Sequence, residues 1–310
     1  YRIPALDYCA YSVYTNTPVR SPQRGHGAPK VRLAAESQLD MIAAELGIDP
    51  LEIRLKNARR RNDVLPNGDS VKNAGLVECL EAVESTWRFT ERYRANSQTP
   101  PDVRVRRGVG IGVSAYFTGS LIYPNNSSAI VRLNDDGTIH LLTGALDIGQ
   151  GAETILAQIV AEELGTGLDS IHVTAGDTEV TPVDIGSWIS GLTLVTGNAV
   201  KKAAAEVREQ LLGAASDELG VDRENLFLED GKVVVKGTED RFISFAQAIA
   251  RHVRVHGGDP ITGKGSARGL TNAPLGPSLK NAAGNWSDSY AFDVQAAEVE
   301  VDKETGEITV

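Results

Sequence analysis

The feature that most constrains the fold is a change of hydrophobic period near residue 107. Before it, apolar residues recur at helical spacing. Ala35, Leu39, Ile42 and Leu46 make one stripe closed by Gly47, and Leu76, Cys79, Leu80, Val83 and Trp87 make another. Between them Asp49-Pro50-Leu51-Glu52 opens a helix, with Asp49 as cap and Pro50 at the first position. That helix is expected to run to the arginines at 59–61, which suit its negative end, and a third helix is expected from Gly75 to Arg94. After residue 107 the pattern alternates, giving strands at 108–117, 128–133 and 138–143 around the Asp136-Gly137 turn. Helices then interleave with strands: 154–164, a strand at 171–174, a long helix at 193–219, a short strand at 232–235, and a helix at 244–253. Residues 257–284 are glycine-rich and polar and read as an excursion. Tyr290–Val301 alternates into the turn Lys303-Glu304-Thr305-Gly306, and 307–310 starts a return strand. The fold class this predicts is α+β, with two-layer mixed sheets and packed helices. The best linker is Ser97-Gln98-Thr99-Pro100-Pro101, dividing the chain into domains at 1–100 and 101–310.

Composition narrows the function classes. The chain has 310 residues, 41% of them hydrophobic, enough for a sizeable core. A net charge of −10 offers no basic footprint, so no nucleic-acid partner is expected. Cys9 and Cys79 stand far apart with no CxxC spacing, which argues for reduced thiols and a cytoplasmic setting over a disulfide framework or zinc site. No apolar run approaches the length of a membrane span. The chain opens on Tyr1 and stops inside an apparent strand, so a piece of a longer polypeptide is expected.

Three glycine-bearing loops offer backbone amides without side-chain obstruction. The first is residues 23–29, where Arg24 and Gly25 suit a phosphate or oxo-rich ligand. The second, Asp147-Ile148-Gly149-Gln150-Gly151-Ala152-Glu153-Thr154, runs from a strand into a helix, which places its amides at a positive helix end. The third is residues 181–190, containing Gly186, Ser187 and Trp188, and it leads to Thr196-Gly197-Asn198. Taken singly, each loop fits plain turn, cap and helix-crossing chemistry equally well, and Trp188 fits the core.

Taken together and in order, the loops resemble one family. Arg24-Gly25-His26-Gly27-Ala28-Pro29 is followed by Ala35-Glu36-Ser37-Gln38-Leu39-Asp40 and by the run from Ala44-Glu45-Leu46-Gly47-Ile48-Asp49 to Asn57. This is similar to the signature of the molybdopterin-binding subunits of xanthine dehydrogenases and aldehyde oxidases. Residues 147–154, Gly176-Asp177-Thr178 with Thr181-Pro182 and Gly186-Ser187, and the 298–307 hairpin resemble later segments of the same subunits. The resemblance implies molybdenum held through the dithiolene of a pterin, in bacteria usually as the cytosine dinucleotide, which agrees with the lack of a Cys/His ligand cluster. It implies hydroxylation of an aldehyde, purine, N-heterocycle or related compound with water as oxygen source. Electrons would leave through iron–sulfur clusters, with FAD as a further acceptor, on partner subunits or domains, since this chain lacks the cysteines. By position, Arg24, Gly25, Gly149, Gln150, Gly151, Thr154, Gly186, Ser187 and Trp188 would contact the cofactor, and Thr196, Gly197 and Asn198 its nucleotide end.

The family pattern breaks in three places. The family's base glutamate lies in a Gly-x-Gly-Glu motif, and the only Gly-Glu here is the turn pair Gly306-Glu307, so no catalytic residue is assigned and the piece is expected to be inactive alone. His26 stands where phenylalanine is common, and it is the candidate substrate contact. Gly191 stands where an arginine is frequent. Two other functions stay open: a metal-free interaction or scaffold domain of the same fold, and a phosphate-ligand binder built on the second loop, disfavoured by the missing P-loop lysine.

Overall fold

In this computed structural model all residues are described except 8, 19–23, 67, 69, 99, 101, 120–125, 269–286 and 288, and the side chain at 239. In chain order the helices are α1 (Ala28–Leu46), α2 (Pro50–Asn57), α3 (Leu76–Trp87), α4 (Phe89–Ser97), α5 (Ala152–Leu164), α6 (Gly197–Leu219) and α7 (Phe245–Val255). The strands are β1 (Val105–Phe117), β2 (Asn126–Leu133), β3 (Ile139–Thr143), β4 (Ile171–Ala175), β5 (Leu226–Glu229), β6 (Lys232–Val235), β7 (Thr238–Ser244), β8 (Thr262–Arg268), β9 (Tyr290–Asp302) and β10 (Ile308–Thr309). The mixed α+β class follows the expectation. Two compact units form, Tyr1–Phe117 with Pro277–Val310, and Thr118–Gly276. This division by compactness is drawn differently from one at residue 100, because β9 brings the late chain back onto β1. Thr99 and Pro101 of the expected linker lie outside the described residues.

In the first unit, β1 and β9 pair antiparallel along 13 residues each, with β10 on the far side of β9. Their alternation puts Ile111 and Val113 inward against Leu51, Leu76, Leu80 and Phe89. Arg107 stands directly opposite Glu300 and pairs with it at 2.5 Å. Three expectations need correction here. The helix expected over 75–94 is two, broken at Arg88, whose φ of 55° lets Phe89 turn back into the core. The α1 stripe is also different, for Ile42 and Leu46 are exposed while Glu36 and Ala43 are buried. Finally α2 ends at Asn57, and Arg59 beyond it is buried with Nε donating to the Tyr1 carbonyl at 2.9 Å.

The buried side of α1 is polar. Glu36 Oε2 accepts from Arg54 Nε at 2.8 Å and from the Val113 amide at 3.1 Å, while its Oε1 accepts from the Tyr1 hydroxyl at 2.8 Å. Arg54, fully buried on α2, also donates to Asp40 at 2.7 Å and to the Pro50 carbonyl at 2.9 Å. Burial works against the Arg54 cation, but hydrogen bonds and charge from Asp40 and Glu36 outweigh it and raise its pKa. Burial, then the Glu36 hydrogen bond, pushes the Tyr1 phenol up.

The second unit is a two-layer sandwich. Its sheet has the order β4-β3-β2-β8, with β3 and β4 parallel and the other pairs antiparallel. One face is covered by α5 and α6, where Val131, Leu141, Leu156, Val160, Val200 and Val207 are all sealed from solvent. A small meander, β5-β6-β7, and α7 extend the layer, and Ser244 and Gln247 form a capping box at the start of α7. One refinement and one correction belong here. The long helical run begins at 192, within a residue of the expected start, but its first turn, Leu192–Thr196, is π-helical and α6 follows it. Part of the expected polar excursion is β8, whose backbone packs so closely on α6 that a Cβ on Gly265 would overlap the Ala199 carbonyl.

Candidate functional site

The second unit gathers two of the three loops. The 144–151 loop leaves the end of β3, and Gly144 there lies against the 181–190 loop: an added Cβ would come within 2.5 Å of the Pro182 carbonyl and 2.8 Å of Asp184 Cβ. Ser187 Oγ donates to the Leu146 carbonyl, and Gln150 Nε2 donates to the same oxygen at 3.1 Å. Two residues expected to share a ligand therefore share an acceptor, and the two turns are neighbours. Arg24, Gly25 and His26 belong to the first unit, in an exposed turn where the Ala28 amide donates to the Gly25 carbonyl at 2.8 Å.

The first amide of α5 is taken by the chain itself. Asp147 Oδ1 accepts from Gly149 N and Oδ2 from Ala152 N, both at 2.7 Å, and these backbone donors, Gly149 foremost, hold the Asp147 carboxyl below its ordinary range. The anion at this helix end belongs to the chain itself. Gln150 is likewise engaged in its own loop, its Oε1 accepting from the Ile148 amide at 2.6 Å. Thr154 is exposed on the first turn of α5.

What the loops present instead is open backbone and apolar surface. At Gly151 and Gly186, with φ of 74° and 99°, no heavy atom lies within 4 Å of where a Cβ would be. Leu146, Ile148, Ile185 and Trp188 are all at least 38% exposed on the same two loops. Trp188 is thus outside the core. The donor set fits the flat heterocycle of a pterin better than its phosphates.

The candidates at the helix start divide. Thr196 is 3% exposed and donates to Asp184 Oδ2 at 3.0 Å, and the Ser127 hydroxyl lies 3.0 Å from Thr196 Oγ1. Gly197 faces Ile159, where an added Cβ would come within 2.9 Å of Cδ1, so it serves the α5–α6 crossing. Asn198 is exposed and its side chain donates to the Leu194 carbonyl. Asp147 and Asp184 are the residues that sequence reasoning missed. Each sits two places before a glycine and accepts that glycine's amide, the Asx-turn signal that marks them in the sequence. Among the described residues no group of three or more His, Cys, Asp or Glu could hold a metal. No helix among them is long and apolar enough to cross a membrane. A cavity of about 370 Å³ beside Arg2, Asn57 and Arg59 contains none of the expected site residues.

Comparison with known proteins decides the family. Two family models, each described as a molybdopterin cofactor-binding domain, match residues 81–310 and 1–58. The chain belongs to the molybdopterin cofactor-binding domain family. It is 35% identical over 275 residues to the putative xanthine dehydrogenase molybdenum-binding subunit of Escherichia coli, covering 87% of this chain and 36% of that protein. It is 31% identical over 313 residues to the aldehyde oxidoreductase of Megalodesulfovibrio gigas, covering 100% of this chain and 30% of that protein. The solved aldehyde oxidoreductase from Desulfovibrio gigas superposes with a TM-score of 0.71 at 28% identity, over 93% of this chain and 28% of that one. The chain therefore spans about a third of the length of these relatives. The resemblance read from the loops is the family that the matches return.

Proposed function

We propose that this chain supplies part of the molybdopterin site of an oxidoreductase that hydroxylates an aldehyde, purine, N-heterocycle or related compound with water as oxygen source. The observation that carries the reading is the meeting of Gln150 and Ser187 on the Leu146 carbonyl, which makes one surface of two loops 37 residues apart in sequence. Gly149, Gly151 and Gly186 would let a pterin approach the backbone, with Gln150 and Ser187 holding the loop shape and Ile148 and Trp188 offering apolar contact. In the first unit Arg24 and Gly25 are proposed as cofactor contacts and His26 as a substrate contact, on the resemblance of residues 24–29. Thr196 and Gly197, buried in packing, would support the loop, while Thr154 and Asn198, both exposed, stay proposed as contacts to the cofactor and its nucleotide end. The molybdenum–pterin group, when bound, supplies the two-electron redox chemistry, and the chain's own residues orient it. The cytosine dinucleotide form, iron–sulfur and flavin partners, a cytoplasmic setting and the assignment of 1–100 and 101–310 to two cofactor-binding domains complete the proposal.

The test is metal and pterin analysis of the purified holoenzyme: about one molybdenum per chain is expected, and none overturns the reading. One observation favours a second reading, a metal-free scaffold of the same fold. The Asp147 carboxylate already holds the Ala152 amide at the start of α5 and sets a negative charge where an anionic cofactor would bind. A protein that purifies without molybdenum yet keeps its partner subunits would establish that alternative.

A further inference from the structure

We propose that Asp184 is a positioning residue, the latch that holds the 181–190 loop in the form it presents to the cofactor. Its carboxylate takes three donors from three directions. Oδ1 accepts from the Gly186 amide at 2.7 Å, while Oδ2 accepts from the Ser127 hydroxyl and from Thr196 Oγ1 at 3.0 Å. Ser127 opens β2 and Thr196 closes the π-helical turn before α6, and both are buried, at 2% and 3% exposure. A loop aspartate is thereby tied to the sheet and to the longest helix of its unit at once. The backbone follows the same path, with Ser127 and Asp184 forming a β-bridge and the Ser128 amide donating to the Val183 carbonyl at 3.2 Å.

The loop needs such a hold. Ile189 and Ser190 lie consecutively in the left-handed region, with φ of 54° and 49°, a conformation a β-branched residue enters only when its surroundings impose it. Beyond Asp184, the loop is held by Ser187 on Leu146, by the Gly119 amide donating to the Ile189 carbonyl at 2.8 Å and by the Gly191 amide donating to the Trp188 carbonyl at 3.1 Å. Without the carboxylate the buried Thr196 hydroxyl would lose its acceptor away from water, and Ser127 would keep only Thr196 Oγ1. The donors to Asp184 are Gly186, Ser127 and Thr196, so it acts through the loop it carries. The geometry stands by itself; only the consequence for cofactor retention rests on the molybdopterin reading.

The experiment compares Asp184→Ala, Asp184→Asn and Thr196→Val with the unsubstituted holoenzyme by two readouts. Amide hydrogen exchange of the metal-free protein should rise about tenfold over 181–190 in Asp184→Ala, with the interior of β2, β3 and α6 unchanged. Molybdenum per chain should fall in step, with retention weakened about tenfold. Asp184→Asn should recover much of both, since its amide oxygen still accepts from Gly186, and Thr196→Val should fall between. Loop exchange equal to the unsubstituted protein overturns the latch, and so does a rise spread through the core, which would mark an ordinary fold contact. Full molybdenum content with a loosened loop overturns the positioning role. If the unsubstituted holoenzyme itself carries no molybdenum, the cofactor reading fails and the exchange comparison alone decides the latch.

Discussion

Arg54 on α2 places Nε 2.8 Å from Glu36 Oε2 on α1, and the arginine side chain is wholly sealed from water. The same carboxylate oxygen accepts the Val113 amide, so this one pair fastens two helices and β1 of the first unit. Breaking a buried ion pair from one side leaves the other charge unmatched, a penalty of about 3–5 kcal/mol. Arg54→Met should therefore lower the unfolding free energy of the first unit, read from its urea transition, by that amount, while Lys56→Met, whose bridge to Glu52 is more than half exposed at both ends, should change it little. Equal effects from the two substitutions would show that the buried network carries no special stability.

A second prediction concerns β8. Cβ atoms on Gly263 and Gly265 would overlap the carbonyls of Ala203 and Ala199 on α6, and neither obstacle is a side chain that can swing away. Gly265→Ala should destabilise the second unit by about 1–3 kcal/mol through overpacking. Gly167→Ala, with no heavy atom near its Cβ, is the control and should stay within ~0.5 kcal/mol. Thermal unfolding of the two variants checks the difference.

These glycines also show why part of the fold was not legible. Strands β1 and β9 and the α6 core announced themselves through alternation and helical spacing, because side chains carry those contacts, while the pairing of β1 with β9 did not. In β8 a helix backbone takes the place of an apolar side chain, so Thr262-Gly263-Lys264-Gly265-Ser266 has no hydrophobic period to read. The break at Arg88 was hidden for a related reason: Trp87 and Phe89 both turn inward, and the apolar spacing runs straight through the corner. At the site, residue type singled out Gln150 and Ser187, but their common partner is a main-chain carbonyl, which no side-chain pattern reports. The exposed α1 residues Ile42 and Leu46 misled in the opposite sense, since the face that packs is held by Glu36 and Ala43.

His252 gives a pH prediction. It is 8% exposed on α7 and stacks on His256 with ring centroids 4.1 Å apart; burial first, then the His256 charge, lowers its pKa below 6.5, while Asp259 acts the other way. Between the lowered folded value and 6.5 the unfolded chain binds more protons than the folded one, so stability rises with pH across that window. Acidification below about 6.5 should thus weaken the second unit until the folded value is passed. Urea midpoints measured across this range should fall towards acid in the native protein and flatten in His252→Gln. An unchanged slope in the variant would remove His252 as the cause.

His26 tests the substrate end of the proposal. It is exposed in the turn before α1, at the position where phenylalanine is usual in the resembling subunits. An imidazole there favours polar substrates over flat apolar rings, so His26→Phe in the holoenzyme should shift kcat/KM towards aromatic substrates by about tenfold or more, the scale of a single pocket contact. Unchanged preference would return His26 to the role of a loop residue.

The last prediction separates an anion site from an internal cap. In the native loop the Asp147 carboxylate holds the amides of Gly149 and Ala152, so inorganic phosphate meets a negative charge at the start of α5 and finds the Ala152 amide taken. Asp147→Ala should lower the thermal midpoint in phosphate-free buffer, because the helix loses its only side-chain acceptor and the positive end of its dipole is left bare. Added phosphate should then restore part of that midpoint in the variant while leaving the native protein unaffected. If phosphate instead raises the midpoint of the native protein as well, the amides are available with Asp147 in place. The carboxylate is then a companion of the bound anion, and the objection it raises against a phosphate-bearing cofactor disappears.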